Sequence, residues 1–209
     1  MHTDISTSLQ LSFKSHRIPA FTPLLQKGFH IPIRMNRSIK AVLCDICDFR
    51  AAQLLPRIQT IFLNGMPVDN LDTAIVKDGD TLAISAAMPG LVGATMRSGS
   101  VLAGFRSTIT HQDRNITNKA SGGRLFVKLF NLLIKELGPL FLIQGVLVSA
   151  EDIRTLLTSF SDKDWAACTK ATLNQQPIDL LSLNALHWRN ETEKIHLRVD
   201  FENSELLSL

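Results

Sequence analysis

The chain has 209 residues, 45% of them hydrophobic and 20% charged, with a net charge of +3 and a mean hydropathy of +0.12. This composition excludes a disordered chain, and the length suits two modest cores better than one. The charge is uneven: residues 1 to 110 hold 11 Lys/Arg against 7 acids, a balance of +4, while residues 111 to 209 hold 11 against 12. A mildly basic first half tolerates an anionic partner. No Lys/Arg run and no Tyr is present to grip or stack on a nucleic acid, so such a binder is expected only as a weak alternative.

Met1 to Gln10 lacks a basic start followed by an apolar core, and no secretory signal is read there. Three cysteines do not make a disulfide framework, and a cytoplasmic protein is expected. On that reading the sequons at Asn115 and Asn190 are chance matches. The most apolar stretch, Leu125 to Val148, is interrupted by Lys128, Lys135, Glu136 and Gly138-Pro139. It reads as two core elements rather than a bilayer span, and no membrane association is expected.

In chain order, Leu9, Leu11 and Phe13 alternate with polar residues as a strand, and Ile31, Ile33 and Met35 do the same after a loop carrying Pro19 and Pro23. The two are expected to pair as a hairpin. Ser38 is a plausible N-cap for a helix from Ile39 to Phe49, whose Ile39, Val42, Leu43, Ile46 and Phe49 share one face. Ile61 to Leu63, an Asn64-Gly65 turn, and a last strand at Leu82 to Ala86 after Asp78-Gly79-Asp80 complete the segment. Strand, strand, helix and three strands is the β-grasp order, and the expected fold class is α+β.

Ile61-Phe62-Leu63-Asn64-Gly65, then Leu71, then Asp78-Gly79-Asp80 followed by Thr81-Leu82-Ala83-Ile84, resembles the closing half of the ubiquitin-like sulfur carriers of thiamine and molybdopterin synthesis. The resemblance implies a β-grasp (ubiquitin-like) domain over residues 1–95. A Gly-containing crossover, 96–123, and a smaller α+β domain, 124–209, are expected to follow. The carriers work through a terminal Gly-Gly carboxylate, whereas this chain continues past Ala86-Ala87-Met88-Pro89-Gly90. Gly122-Gly123 reads as a linker before a helix at Leu125 to Leu133 rather than as a processing site. Leu140 to Val148 reads as a buried strand. Ser149 and Asp152 form a capping box for a helix with Ile153, Leu156, Leu157 and Phe160 inward. A hairpin joins Leu186 and Trp188 to Ile195, Leu197, Val199 and Phe201, with His196, Arg198 and Asp200 on its solvated face. Trp165 and Trp188 are expected as core or interface anchors.

Two stretches could carry function. Pro89 to Arg106 sets Gly90, Gly93, Gly99 and Gly104 in an apolar sequence whose only charges are Arg97 and Arg106. Glycine-rich backbone beside arginine can hold an anion or close against a partner. Contact residues are therefore expected at Gly90, Gly93, Arg97, Gly99 and Arg106, although a packed crossover has the same composition. The spacing matches no nucleotide fingerprint. Cys44 and Cys47, the C-x-x-C pair, fall inside the proposed helix and read as small hydrophobes, with redox chemistry next and metal last. His187, His196, Asp200 and Glu202 cluster in sequence without ligand spacing. No cofactor and no metal are expected, and whether the chain is catalytic stays open. The leading reading is a non-catalytic binding or adaptor protein acting on a protein partner, a second copy of itself or a small anion. The alternatives are an enzyme or enzyme subunit in sulfur or cofactor metabolism, and a weak nucleic-acid-binding module.

Overall fold

The computed structural model describes residues 7–14, 17–34, 36–86, 88, 90–106, 109–111, 122–183 and 193–202. In chain order these form β1 (Thr7–Phe13), α1 (Ile18–Lys27), β2 (Phe29–Arg34), β3 (Arg37–Ser38), α2 (Ile39–Cys47), α3 (Ala51–Leu54), β4 (Thr60–Leu63), β5 (Met66–Pro67), β6 (Ile75–Val76), β7 (Thr81–Ser85) and α4 (Gly90–Met96). A 3-10 segment at Val101–Arg106 follows, then β8 (Gly122–Phe130), α5 (Leu133–Gln144), β9 (Val146–Ser149), α6 (Ala150–Ser159), α7 (Asp162–Ala167), β10 (Cys168–Leu173), β11 (Gln176–Pro177), α8 (Leu180–Leu183) and β12 (Lys194–Phe201). The fold is α+β. Among the described residues no helix is long and apolar enough to cross a membrane.

The chain forms two compact units, residues 1–24 with 139–209 and residues 25–138, and the unit boundaries fall inside α1 and α5. The sequence suggested consecutive domains at 1–95 and 124–209, whereas the contact units interleave. In the unit of residues 25–138, β2 runs antiparallel to β8, β8 parallel to β7, β7 antiparallel to β4, and β4 antiparallel to β5. Ile31 lies opposite Leu125, Val127 beside Leu82, and Ile84 opposite Ile61. All six side chains are buried, and each large apolar side chain so enclosed stabilises the fold by about 1.5–3 kcal/mol. The short pair β3 and β6 stands apart from this sheet.

The other unit repeats the same senses with different strands. There β9 runs antiparallel to β12, β12 parallel to β1, β1 antiparallel to β10, and β10 antiparallel to β11. Phe13, Phe21, Phe160 and Phe201 fill its core; Phe13 and Phe21 meet edge-on at 5.6 Å, as do Phe21 and Phe160. Trp165 extends the cluster, 5.2 Å from Phe160.

Local sequence recurs at matching places in the two units. Leu63-Asn64-Gly65-Met66-Pro67-Val68-Asp69 turns β4 into β5, and Leu173-Asn174-Gln175-Gln176-Pro177-Ile178-Asp179 turns β10 into β11. Both turns hold an Asn with positive φ, 52° at Asn64 and 50° at Asn174. Ser38 caps α2 and Ser149 caps α6, each accepting from the amide three residues on. α1 and α5 each contain a proline, Pro23 and Pro139, and each is followed by a glycine of positive φ, Gly28 and Gly145. Leu-Asn-x-x-Pro-(Val/Ile)-Asp is a repeat that the sequence reading passed over.

Several expectations fail here. β1 and β2 do not pair: β1 lies between β10 and β12, and β2 pairs with β8. The segment with Pro19 and Pro23 is helical: Pro19, in the first turn, gives up an amide that has no helical partner anyway, and Pro23 is carried inside the helix. Leu125 to Phe130 is strand, not helix, and Gly122-Gly123 open that strand rather than link domains. Leu125, Val127 and Leu129 alternate as well as they fit a helix, and the place beside β7 selects the period of two. Leu140 to Gln144 continues α5, since Gly138-Pro139 is carried inside that helix, and only Val146–Ser149 is strand. α2 ends at Cys47 because Asp48 turns to φ 51°, which leaves Phe49 exposed instead of on the buried face. The Ser38 and Ser149 caps, the Asn64-Gly65 turn and the alternation of β12 match the expectation. Leu186, His187 and Trp188 lie outside the described residues.

Candidate functional site

The glycine and arginine segment is not a loop but a helical hairpin bonded to the residues that precede β4 and follow β5. α4 and the 3-10 segment are joined at Gly99, whose φ of 67° disfavours a side chain. Gly93 is required by close packing, because a Cβ there would stand 2.0 Å from the Met88 carbonyl oxygen. Gly90 begins α4, and Pro89 lies outside the described residues. Hydrogen bonds tie the hairpin down: the Ser98 amide donates to the Gln59 carbonyl at 2.9 Å, and the Ser98 hydroxyl to the Asp69 carbonyl at 2.7 Å. The His111 amide donates to the Pro67 carbonyl at 2.9 Å.

Arg106 anchors this arrangement. Its side chain is 3% exposed, and Nη2 and Nη1 donate to the two Asp69 carboxylate oxygens at 2.6 and 3.1 Å. Nε donates to the Thr95 carbonyl at 2.6 Å, Nη1 also to the Thr110 hydroxyl at 2.9 Å, and Nη2 to the Arg97 carbonyl at 3.3 Å. These contacts match the five N–H donors of a guanidinium. Arg106 is therefore occupied within the fold, while Arg97 is exposed. The two arginines do not converge on one anion pocket.

What the hairpin presents outward is apolar. Val101 is 97% and Phe105 84% exposed, and Leu91, Val92 and Ile109 are exposed beside them in sequence. Met66, on the edge strand β5 that the hairpin adjoins, is exposed as well. Residues 81 to 111 contain no Asp or Glu, so Arg97 is the single uncommitted charge along this stretch.

Comparison with protein-family models, with curated proteins and with solved structures finds no match. The functional reading therefore rests on this chain's own chemistry.

The remaining candidates are placed as follows. Cys44 is half-buried and Cys47 buried on α2, and both are free thiols. Burial, with Cys44 adding to it against the opposing Arg50, pushes the Cys47 thiol up to about 11. A thiol so held is protonated at neutral pH and a poor nucleophile. Among the described residues no group of three or more His, Cys, Asp or Glu is placed to hold a metal ion. His196 packs on the backbone at Gly145 rather than standing free on the strand face, and burial, then Arg198, lowers its pKa. Asp200 accepts from Gln10 Nε2 at 2.6 Å, and Glu202 from the Thr169 hydroxyl at 3.0 Å. His187 lies outside the described residues. The sequence signal for the hairpin was its apolar content; the partner of Arg106, Asp69, was missed because it stands 37 residues away.

Proposed function

We propose that the chain is a non-catalytic binding or adaptor protein whose contact surface is the hairpin of α4 and the 3-10 segment, within residues 89–106. The observation that carries this is the exposure of Leu91, Val92, Val101 and Phe105 on a segment fixed by the buried Arg106–Asp69 pair. Large apolar side chains held out on a rigid support are characteristic of protein contact surfaces. A small anion is the poorer ligand, since one of its two candidate cations is already committed. A protein partner remains, whether another chain or a second copy. The three free thiols suit the cytoplasm.

The proposed architecture for residues 25–138 is a β-grasp module. Its support is the run β2, β8, β7, β4, β5, with a parallel central pair, helix α2 following β2 and β3 in the chain, and the Asn64-Gly65 turn into β5. The resemblance to sulfur carriers, which keeps an enzyme or enzyme subunit of sulfur or cofactor metabolism as the second reading, rests on those turns. A carrier would need a free carboxylate soon after β7, and here the chain enters α4 instead. The weak nucleic-acid module is disfavoured by the single uncommitted arginine of the hairpin.

Photocrosslinking tests the surface. A benzoylphenylalanine at position 92, expressed in the source cells, should give one discrete protein adduct that disappears when Phe105→Ser is added. The same probe at position 181, whose leucine is 86% exposed on α8, should not give that adduct. Identical adducts from both positions, or none from position 92, would remove the hairpin as the contact site.

A further inference from the structure

We infer that the hairpin receives an amphipathic helix from another protein, one that lays apolar side chains on Val92, Val101 and Phe105 and sets an acidic residue at its rim opposite Arg97. The inference rests on the surface reading above and specifies the chemistry of the occupant. Three observations select it over other occupants.

The first is that strand addition is closed at this end of the sheet. The edge strand β5 is two residues long, Pro67 has no N–H to offer, and its carbonyl already accepts from the His111 amide at 2.9 Å. The partner must therefore bind through side chains rather than through a backbone ladder, as the apolar face of an amphipathic helix does.

The second observation is charge. Residues 81 to 111 carry no acid, and Asp69 is bound to Arg106. A second copy of this chain would thus bring an equally acid-free surface to Arg97, with nothing to complement it. A partner that supplies a carboxylate gains an ion pair and faster encounter, and a self-contact gains neither.

The third is the kind of cation present. One exposed arginine among large aliphatic and aromatic side chains lacks the basic cluster by which a peripheral protein holds an anionic bilayer. Arginine also suits a carboxylate geometrically, since its planar fork can donate two parallel hydrogen bonds.

The test uses the full chain and a labelled synthetic helix of about 14 residues, with Leu at i, i+3, i+4 and i+7 and Glu on both flanks, read by fluorescence anisotropy. A counterpart with each Glu changed to Lys, and phosphatidylserine–phosphatidylcholine vesicles, are run beside it. The Glu peptide should bind. Arg97→Glu should weaken it by about three- to fivefold, the range of a partly exposed ion pair, and should strengthen the Lys peptide correspondingly. Val92→Ser with Phe105→Ser should abolish both, with the melting temperature unchanged because those side chains already face water. Equal binding of the Glu and Lys peptides would overturn the acidic partner and leave the surface standing. No peptide binding, while the position 92 adduct persists, would overturn the helical partner. Vesicle binding that depends on Arg97, with no peptide binding, would replace the protein partner by a membrane. Loss of the adduct as well would take the surface reading down separately.

Discussion

Replacing Asp69 by Ala should destabilise the protein by about 2–3 kcal/mol. Removing one member of a buried ion pair costs about 3–5 kcal/mol, because the other charge stays behind without compensation. Here Arg106 is 3% exposed but Asp69 is 38% exposed, so water reaches the vacated side and the figure falls. The Thr95 and Arg97 carbonyls and the Thr110 hydroxyl still accept from the guanidinium, which lowers it again. Urea unfolding measures the loss, and hydrogen exchange locates it. The Ser98 and His111 amides, which donate to the Gln59 carbonyl before β4 and the Pro67 carbonyl of β5, should lose protection before the amides of β7 do. Adding Arg106→Met to Asp69→Ala removes the orphaned charge, so the double variant should be more stable than the single one. An Asp69→Ala protein within about 0.5 kcal/mol of the parent, or a double variant whose loss is the sum of its singles, would show that the pair does not anchor the hairpin.

Three further outcomes are expected. Stability should fall in two steps as pH drops. His196 is held below its ordinary 6.5 by burial, so the stability tied to its neutral form is complete above that value and lost as pH falls below it; His196→Gln should remove this step. Burial raises Asp164, but the Ser161 hydroxyl and amide and Arg17 outweigh it and lower its pKa, so its contribution persists to below pH 3.8 and Asp164→Asn should remove the second step. In thiol labelling of the native protein, half-buried Cys44 should react first, with Cys47 and Cys168 following only on unfolding; fast labelling of Cys47 would contradict its placement. A protease site introduced between residues 111 and 122 should give two fragments that stay together on native size exclusion. β1 lies between β10 and β12 of the other fragment, and β8 lies between β2 and β7; separation without denaturant would refute that pairing.

Much of the local structure was legible because its causes are local. Ser38 and Ser149 announce helices through a hydroxyl and an amide three residues on, and Asn64-Gly65 announces a turn through its dihedral angles. Pairing was not legible, since Leu9-Gln10-Leu11 alternates identically whether its neighbour is β2 or β12. Leu125 to Phe130 suits both periods, and only the space beside β7 chooses between them. The hairpin at 90–106 stood out by composition, but Arg106 could not be told from Arg97. The distinction lies in Asp69, which the fold brings near. The repeated Leu-Asn-x-x-Pro-(Val/Ile)-Asp was present throughout, and its meaning emerges only when both copies are seen turning equivalent strands.

The placement of β1 has a consequence for synthesis of the chain. Its neighbours are β10 and β12, with Thr7 beside Ile195 and Phe13 beside Phe201, so β1 is made long before either of them. At about 5–20 residues per second, translation leaves Leu9, Leu11 and Phe13 without their final neighbours for roughly 10–40 s. The paired strands of residues 25–138 are all made once β8 has left the ribosome, whereas the other unit cannot close until β12 has. Folding of that unit is dominated by distant contacts, which slows it. In that interval β1 is an unpaired apolar segment that a holding chaperone would cover.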